Sequence, residues 1–204
     1  MRVVKRFQKD LEHIDLISGI FDQVIRKFYY NLFIDRIEFI LSDKNGFEIG
    51  DRSAKIFLNA NDNFVRVGDQ RAIRALILHQ IAHIIVRQKG METDQHHIED
   101  VLANKELIKN GFSDDLFYYY YQQLIKKPEI KSFHEYLEIN VPWLSFMHGK
   151  RHHDSMFLLK LARQIQHPST FHTKGKKILK HMKRDLWDDE ILRRTERHIK
   201  SRMT

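Results

Sequence analysis

Leu11, Ile14, Ile17, Phe21, Val24, Ile25, Phe28 and Leu32 recur at three- and four-residue spacing, and this period predicts a first helix across roughly residues 7–32. The period then changes. Ile37-Glu38-Phe39-Ile40-Leu41 and Lys55-Ile56-Phe57-Leu58-Asn59 read as strands, with Asp43-Lys44-Asn45-Gly46 as a turn after the first. Residues 60–68 read as loop or a short third strand. Asp69 suits the N-cap of a helix that runs to about Gln88 and ends at Lys89-Gly90. Thr93 or Asp94 caps the next helix, which Asn110-Gly111 stops, and another covers about 114–126 before Pro128. Beyond it the pattern predicts helical hairpins punctuated by Pro142, Gly149, Pro168 and Gly175. The Tyr118–Tyr121 run reads as core and groove packing. Together these elements predict an α+β fold, predominantly helical. Its first part, residues 1–127, holds an N-terminal helix, a short antiparallel sheet and the helix at 70–88; residues 128–204 form a helical extension.

Composition narrows the class. Of 204 residues, 42% are apolar and 30% charged, which suits a globular chain rather than a disordered one. The absence of cysteine excludes a disulfide framework, a zinc ribbon and a thiol nucleophile, and fits a reducing compartment. The first thirty residues intersperse Arg2, Lys5, Arg6, Lys9, Asp10, Glu12 and Asp15 among apolar positions, a pattern unlike a secretory signal. Ala75–Val86 is the most apolar run, too short to span a membrane and interrupted by His79, Gln80 and His83. A cytoplasmic location without membrane insertion is expected. The net charge of +8 is unevenly placed: residues 1–148 hold 20 Lys/Arg and 21 Asp/Glu, residues 149–204 hold 15 and 6. The excess positive charge is confined to the last quarter of the chain.

The residues with most chemical content are Leu76-Ile77-Leu78-His79-Gln80-Ile81-Ala82-His83-Ile84-Ile85. Positions i and i+4 share a helix face, so both imidazoles can reach one metal ion. Spacing alone proves little in a chain with 13 histidines, and His148 and His152 share it. Context separates the two pairs. An apolar helix interior is a costly place for two polar rings unless something satisfies both, whereas His148-Gly149-Lys150-Arg151-His152 is charged and contains glycine. The bland reading of His79 and His83 is two separately satisfied core histidines.

His79-Gln80-Ile81-Ala82-His83 resembles the zincin metallopeptidase motif His-Glu-x-x-His, with Gln80 at the glutamate position. The order of a helix, strands including Lys55–Asn59, and then the motif helix is similar too, over roughly residues 1–112. The resemblance implies one zinc ion on His79 and His83, a third protein ligand, and a peptide or protein as substrate. Two subgroups compete for that ligand. Asp100-Val101-Leu102-Ala103-Asn104 resembles the Glu-x-x-Ala-Asn/Asp element of gluzincins, including small ImmA/IrrE-type peptidases, which implies Asp100 as ligand and Asn104 as a residue orienting a ligand histidine. His96-His97-Ile98-Glu99 resembles the His-Gly-x-Glu element of SprT-like proteins and implies His96 instead. Asp100 is favoured because Ala103 and Asn104 match with it. On a helix His96, Asp100, Ala103, Asn104 and Leu107 share one face, while acids in a first helical turn are favoured by the helix dipole without any metal.

In that family the glutamate is the general base that takes a proton from the attacking water. The Gln80 amide donates and accepts hydrogen bonds but does not take that proton at neutral pH. The resemblance therefore implies a metallopeptidase-like protein with impaired or absent hydrolysis, or a pseudo-peptidase scaffold. The alternative class is a helical module without metal that binds nucleic acid or an acidic partner. Lys174, Lys176, Lys177, Lys180, Lys183 and Arg184 crowd one segment, Arg193, Arg194, Arg197, Lys200 and Arg202 follow, and Phe171, His172 and Trp187 offer stacking. Against this, Asp185, Asp188, Asp189 and Glu190 interrupt the run and suit a solvated, ion-paired face.

Overall fold

A computed structural model describes residues 1–7, 12–93, 96–147, 152–185 and 188. The fold is mixed α+β and predominantly helical, and the chain divides into two compact units, Met1–Lys89 and Gly90–Thr204. The shift to excess positive charge comes much later than this division.

The first unit opens with a strand that the sequence pattern does not predict, β1 (Arg2–Arg6), ahead of helix α1 (Ile14–Phe28). The helix is shorter than the predicted 7–32: it begins after His13, whose φ is 69°, and its last turn gives way to a 3₁₀ segment, Tyr29–Asn31. Ile17, Ile20, Phe21, Val24, Ile25 and Phe28 form its buried stripe, the amphipathic pattern that drives a surface helix onto a sheet. Three further strands follow, β2 (Arg36–Ser42), β3 (Gly46–Gly50) and β4 (Ser53–Asn59), in the spatial order β1-β2-β4-β3.

The expected antiparallel sheet is corrected here. β1 pairs with β2 and β2 with β4 in parallel, and only β3 runs antiparallel, against β4. The α1 crossover returns the chain to the same end of the sheet and makes β1 and β2 parallel, and β3 runs back along the outside so that β4 enters in the direction of β2. Ile37, Phe39 and Leu41 on β2 and Ala54, Ile56 and Leu58 on β4 alternate into the core. Phe21 stacks on Phe39 with ring centroids 4.3 Å apart, a pairing that contributes about 1 kcal/mol beyond burial. On the opposite face Glu38 is buried, its carboxylate held by Arg36 at 2.5 Å and Arg6 at 3.2 Å. Lys5 ties β1 to α1 through Ser18 Oγ at 2.7 Å and Asp22 at 2.6 Å.

Residues 60–68, expected as loop or strand, contain a helical turn, α2 (Asn63–Arg66), and close with Gly68 at φ 66°. A Cβ at Gly68 would lie 3.0 Å from the His13 ring, so the position demands glycine on two counts. Helix α3 (Gln70–Gln88) starts on Asp69 as predicted, whose carboxylate accepts from the backbone N–H of Arg71 and Ala72 at 3.2 and 3.0 Å. It ends before Gly90, at φ 66°. α3 is buried on nearly every side from Ala72 to Val86, so tertiary packing rather than one apolar face holds it.

In the second unit α4 (His96–Lys109) stops at Gly111, with φ 84°, and α5 (Ser113–Lys126) buries Leu116, Tyr120 and Leu124 at four-residue spacing. Asp94, one of the two expected caps of α4, lies outside the described residues. α6 (Phe133–Asn140) is capped by Ser132, whose hydroxyl accepts from Glu135 N–H at 3.1 Å. A buried 3₁₀ segment, Pro142–Met147, leads on to α7 (His152–Ala162) and α8 (Ser169–Asp185). Gly175, expected to interrupt a hairpin, sits inside α8: an added Cβ would collide with Tyr136 Cε1, so its bare backbone lets that ring approach. Among the described residues no helix is long and apolar enough to cross a membrane.

Candidate metal centre

α3 places His79 and His83 one turn apart on the same face. Their Nε2 atoms are 3.0 Å apart, and their rings meet edge-on at 89° with centroids 4.5 Å apart. Ile77, Leu78, Ile81, Ala82 and Ile84 around them are fully buried; His83 is buried and His79 half-buried. Two polar rings in such surroundings are costly to bury unless partners satisfy them. Phe47, on edge strand β3, stacks on His83 at 5.1 Å and 15°, which fixes the plane of the imidazole. The Arg87 guanidinium carbon lies 4.6 Å from the centre of the same Phe47 ring.

His79, His83 and Asp100 form a group that could hold a metal ion, one ligand atom from each and all within 4.8 Å of one another. Tetrahedral zinc with ligand distances of about 2.0–2.1 Å sets neighbouring donors about 3.3 Å apart. The 3.0 Å separation of the two imidazole nitrogens is close to that value. Two imidazoles and a carboxylate are also a donor set that zinc accepts.

His96, the rival ligand, is exposed at the start of α4 and is not in this group. Gln80 is buried on α3. Glu99 and Glu106, also on α4, are buried and outside the group. Asn104 is fully buried one turn beyond Asp100; its Nδ2 donates to Tyr120 Oη at 2.8 Å and to the Pro142 carbonyl at 3.0 Å. Burial above all, and then the nearby charge of Asp100, push the Tyr120 phenol well above its ordinary value, so it stays neutral. Tyr120 and Phe47 are thus the residues that sequence reasoning misses. The Tyr118–Tyr121 run is visible in the sequence, but only packing singles out its third member; for Phe47 no spacing signal exists.

Of the basic residues singled out in the sequence, Lys176, Lys180 and Lys183 line a cavity from α8. Lys174 and Lys177 are exposed on the same helix, and Arg184 pairs with Asp185 at 2.7 Å. His148, Trp187, Asp189, Glu190 and the basic residues from Arg193 to Arg202 lie outside the described residues, as does the side chain of His152. No protein-family model, curated protein or solved structure matches the chain.

Proposed function

We propose that this chain is a zincin-like protein that holds one zinc ion on His79, His83 and Asp100, engages an extended peptide, and hydrolyses it slowly or not at all. The observation that carries the reading is the pair of Nε2 atoms 3.0 Å apart in an apolar helix, with Asp100 within the same 4.8 Å group. A zinc ion bound there supplies Lewis acidity, polarising a carbonyl and acidifying water. The chain's own residues do the rest. His79 and His83 present Nε2, and Phe47 keeps the His83 ring from turning. β3 supports a peptide partner, because it is an edge strand and an extended segment can add to its free side by backbone hydrogen bonds. Gln80 supplies an amide that orients a water or a carbonyl but does not remove a proton. Missing a general base costs on the order of 10²–10⁴ in rate.

The test has two readouts. Elemental analysis of protein purified without a His tag should find one zinc per chain, lost in His83→Ala and weakened in Asp100→Ala; it also distinguishes iron, which accepts the same donors. With zinc loaded, Gln80→Glu should cleave an unfolded protein at least about 10²-fold faster than the parent, in a chelator-sensitive way. A chain that takes up no zinc sinks the proposal. Parent turnover equal to that of Gln80→Glu assigns the base elsewhere.

A further inference from the structure

A cavity of about 490 Å³ opens in the second unit, lined from α6, the 3₁₀ segment, α7 and α8, well within the size range of small-molecule sites. Its walls are chemically divided. Trp143, Leu144 and Leu159 supply a buried apolar floor. Lys176, Lys180 and Lys183 recur at i, i+4 and i+7 on one face of α8, and Arg163 joins them from just beyond α7. Among the described residues these four cations have no carboxylate partner, although Arg184 beside them is paired. Like charges one helical turn apart repel, so their convergence on one cavity is unfavourable until an anion enters. Trp143 Nε1 is buried and has no acceptor among the described residues. Tyr136 completes the wall, seated by Gly175, with its hydroxyl 3.5 Å from His172 Nδ1.

We propose that this cavity binds a small phosphorylated ligand with an aromatic body, of the nucleoside diphosphate or triphosphate class. The cationic rim takes the phosphates and the apolar floor the planar body. Four unneutralised cations match several negative charges rather than one carboxylate. A single enclosed floor suits one base, whereas a bound strand needs successive stacking platforms and an extended basic track. Lys174 and Lys177, as basic as their neighbours, do not line the cavity. The site is independent of zinc and of peptide hydrolysis.

The experiment is calorimetric titration of the full-length protein with ADP. Adenosine, inorganic pyrophosphate and a short single-stranded oligonucleotide serve as comparators. ADP should bind more tightly than either adenosine or pyrophosphate. Lys180→Gln and Arg163→Gln should each weaken it about 10-fold, as loss of one charge-assisted contact does, while Lys174→Gln leaves it unchanged. All three variants replace exposed side chains, so folding is preserved. Absence of ADP binding, pyrophosphate binding as tight as ADP, or equal weakening by Lys174→Gln would overturn the proposal. An oligonucleotide that binds more tightly and displaces ADP would overturn it in favour of a nucleic-acid strand.

Discussion

Replacing Asn104 by leucine tests what the most buried amide of α4 does. The side chain is 0% exposed, and its Nδ2 donates to Tyr120 Oη at 2.8 Å and to Pro142 O at 3.0 Å. Leucine keeps the volume and removes both donors. The Pro142 carbonyl still accepts from Ser145 Oγ at 2.7 Å, so it is not orphaned. The Tyr120 hydroxyl loses the Asn104 donor in a buried setting. Two neutral hydrogen bonds at about 1 kcal/mol each, plus roughly 1 kcal/mol for the stranded hydroxyl, give a loss of about 3 kcal/mol. Adding Tyr120→Phe removes the stranded group, so the double variant should cost about 1–2 kcal/mol less than the sum of the single ones. Urea unfolding followed by tryptophan fluorescence reads this out, because Trp143 and Trp187 both lie beyond residue 90. Strict additivity would refute the reasoning. So would a second result: if Asn104→Leu left stability intact but weakened zinc binding about 10- to 100-fold, Asn104 would instead orient a metal ligand, as the gluzincin resemblance implies.

Gly175→Ala should destabilise by about 1–3 kcal/mol, although alanine is the better helix former, because its Cβ would collide with Tyr136 Cε1; thermal denaturation checks it, and a raised Tm would sink it. Glu135 predicts a pH effect: the hydrogen bond from Lys127, and then that from the Lys131 backbone N–H at 2.6 Å, hold its carboxyl below the ordinary value. A depressed carboxyl stabilises above its unfolded value and loses that contribution as pH falls through the folded one. Glu135→Gln should therefore lower the urea midpoint near neutrality and leave it unchanged at acid pH, and a pH-independent difference would refute the link.

The local signals are legible in the sequence wherever local chemistry decides the outcome. Asp69 caps α3, Gly90 and Gly111 close α3 and α4, and the spacing of His79 and His83 survives as one face. What depends on distant partners is not legible. β1 is a run of three cations and two valines, strand-forming only because β2 pairs with it across the whole of α1. β3 is bounded by glycines and merges with the predicted turn, and the parallel register of β2 with β4 leaves no mark in either strand. At the candidate site, the same holds for Phe47 and Tyr120. Each is one aromatic among many until a neighbouring element gives it a ring to stack on or an amide to accept.

The position of β4 has a consequence for the order in which the sheet assembles. It is the last of the four strands along the chain, yet it lies inside the sheet, between β2 and β3. β2 and β3 therefore cannot close on each other as a hairpin, despite the Asp43–Gly46 turn that joins them. Among the described residues the only short-range ladder is β3 with β4, closed by Asp51-Arg52, which leaves Gly50 opposite Ser53. Loop-closure entropy favours that ladder first, on the microsecond scale of an isolated hairpin, with docking onto β2 as a later and slower event. The edge that carries Phe47 is then a local folding unit, closed within itself before it docks onto the rest of the sheet.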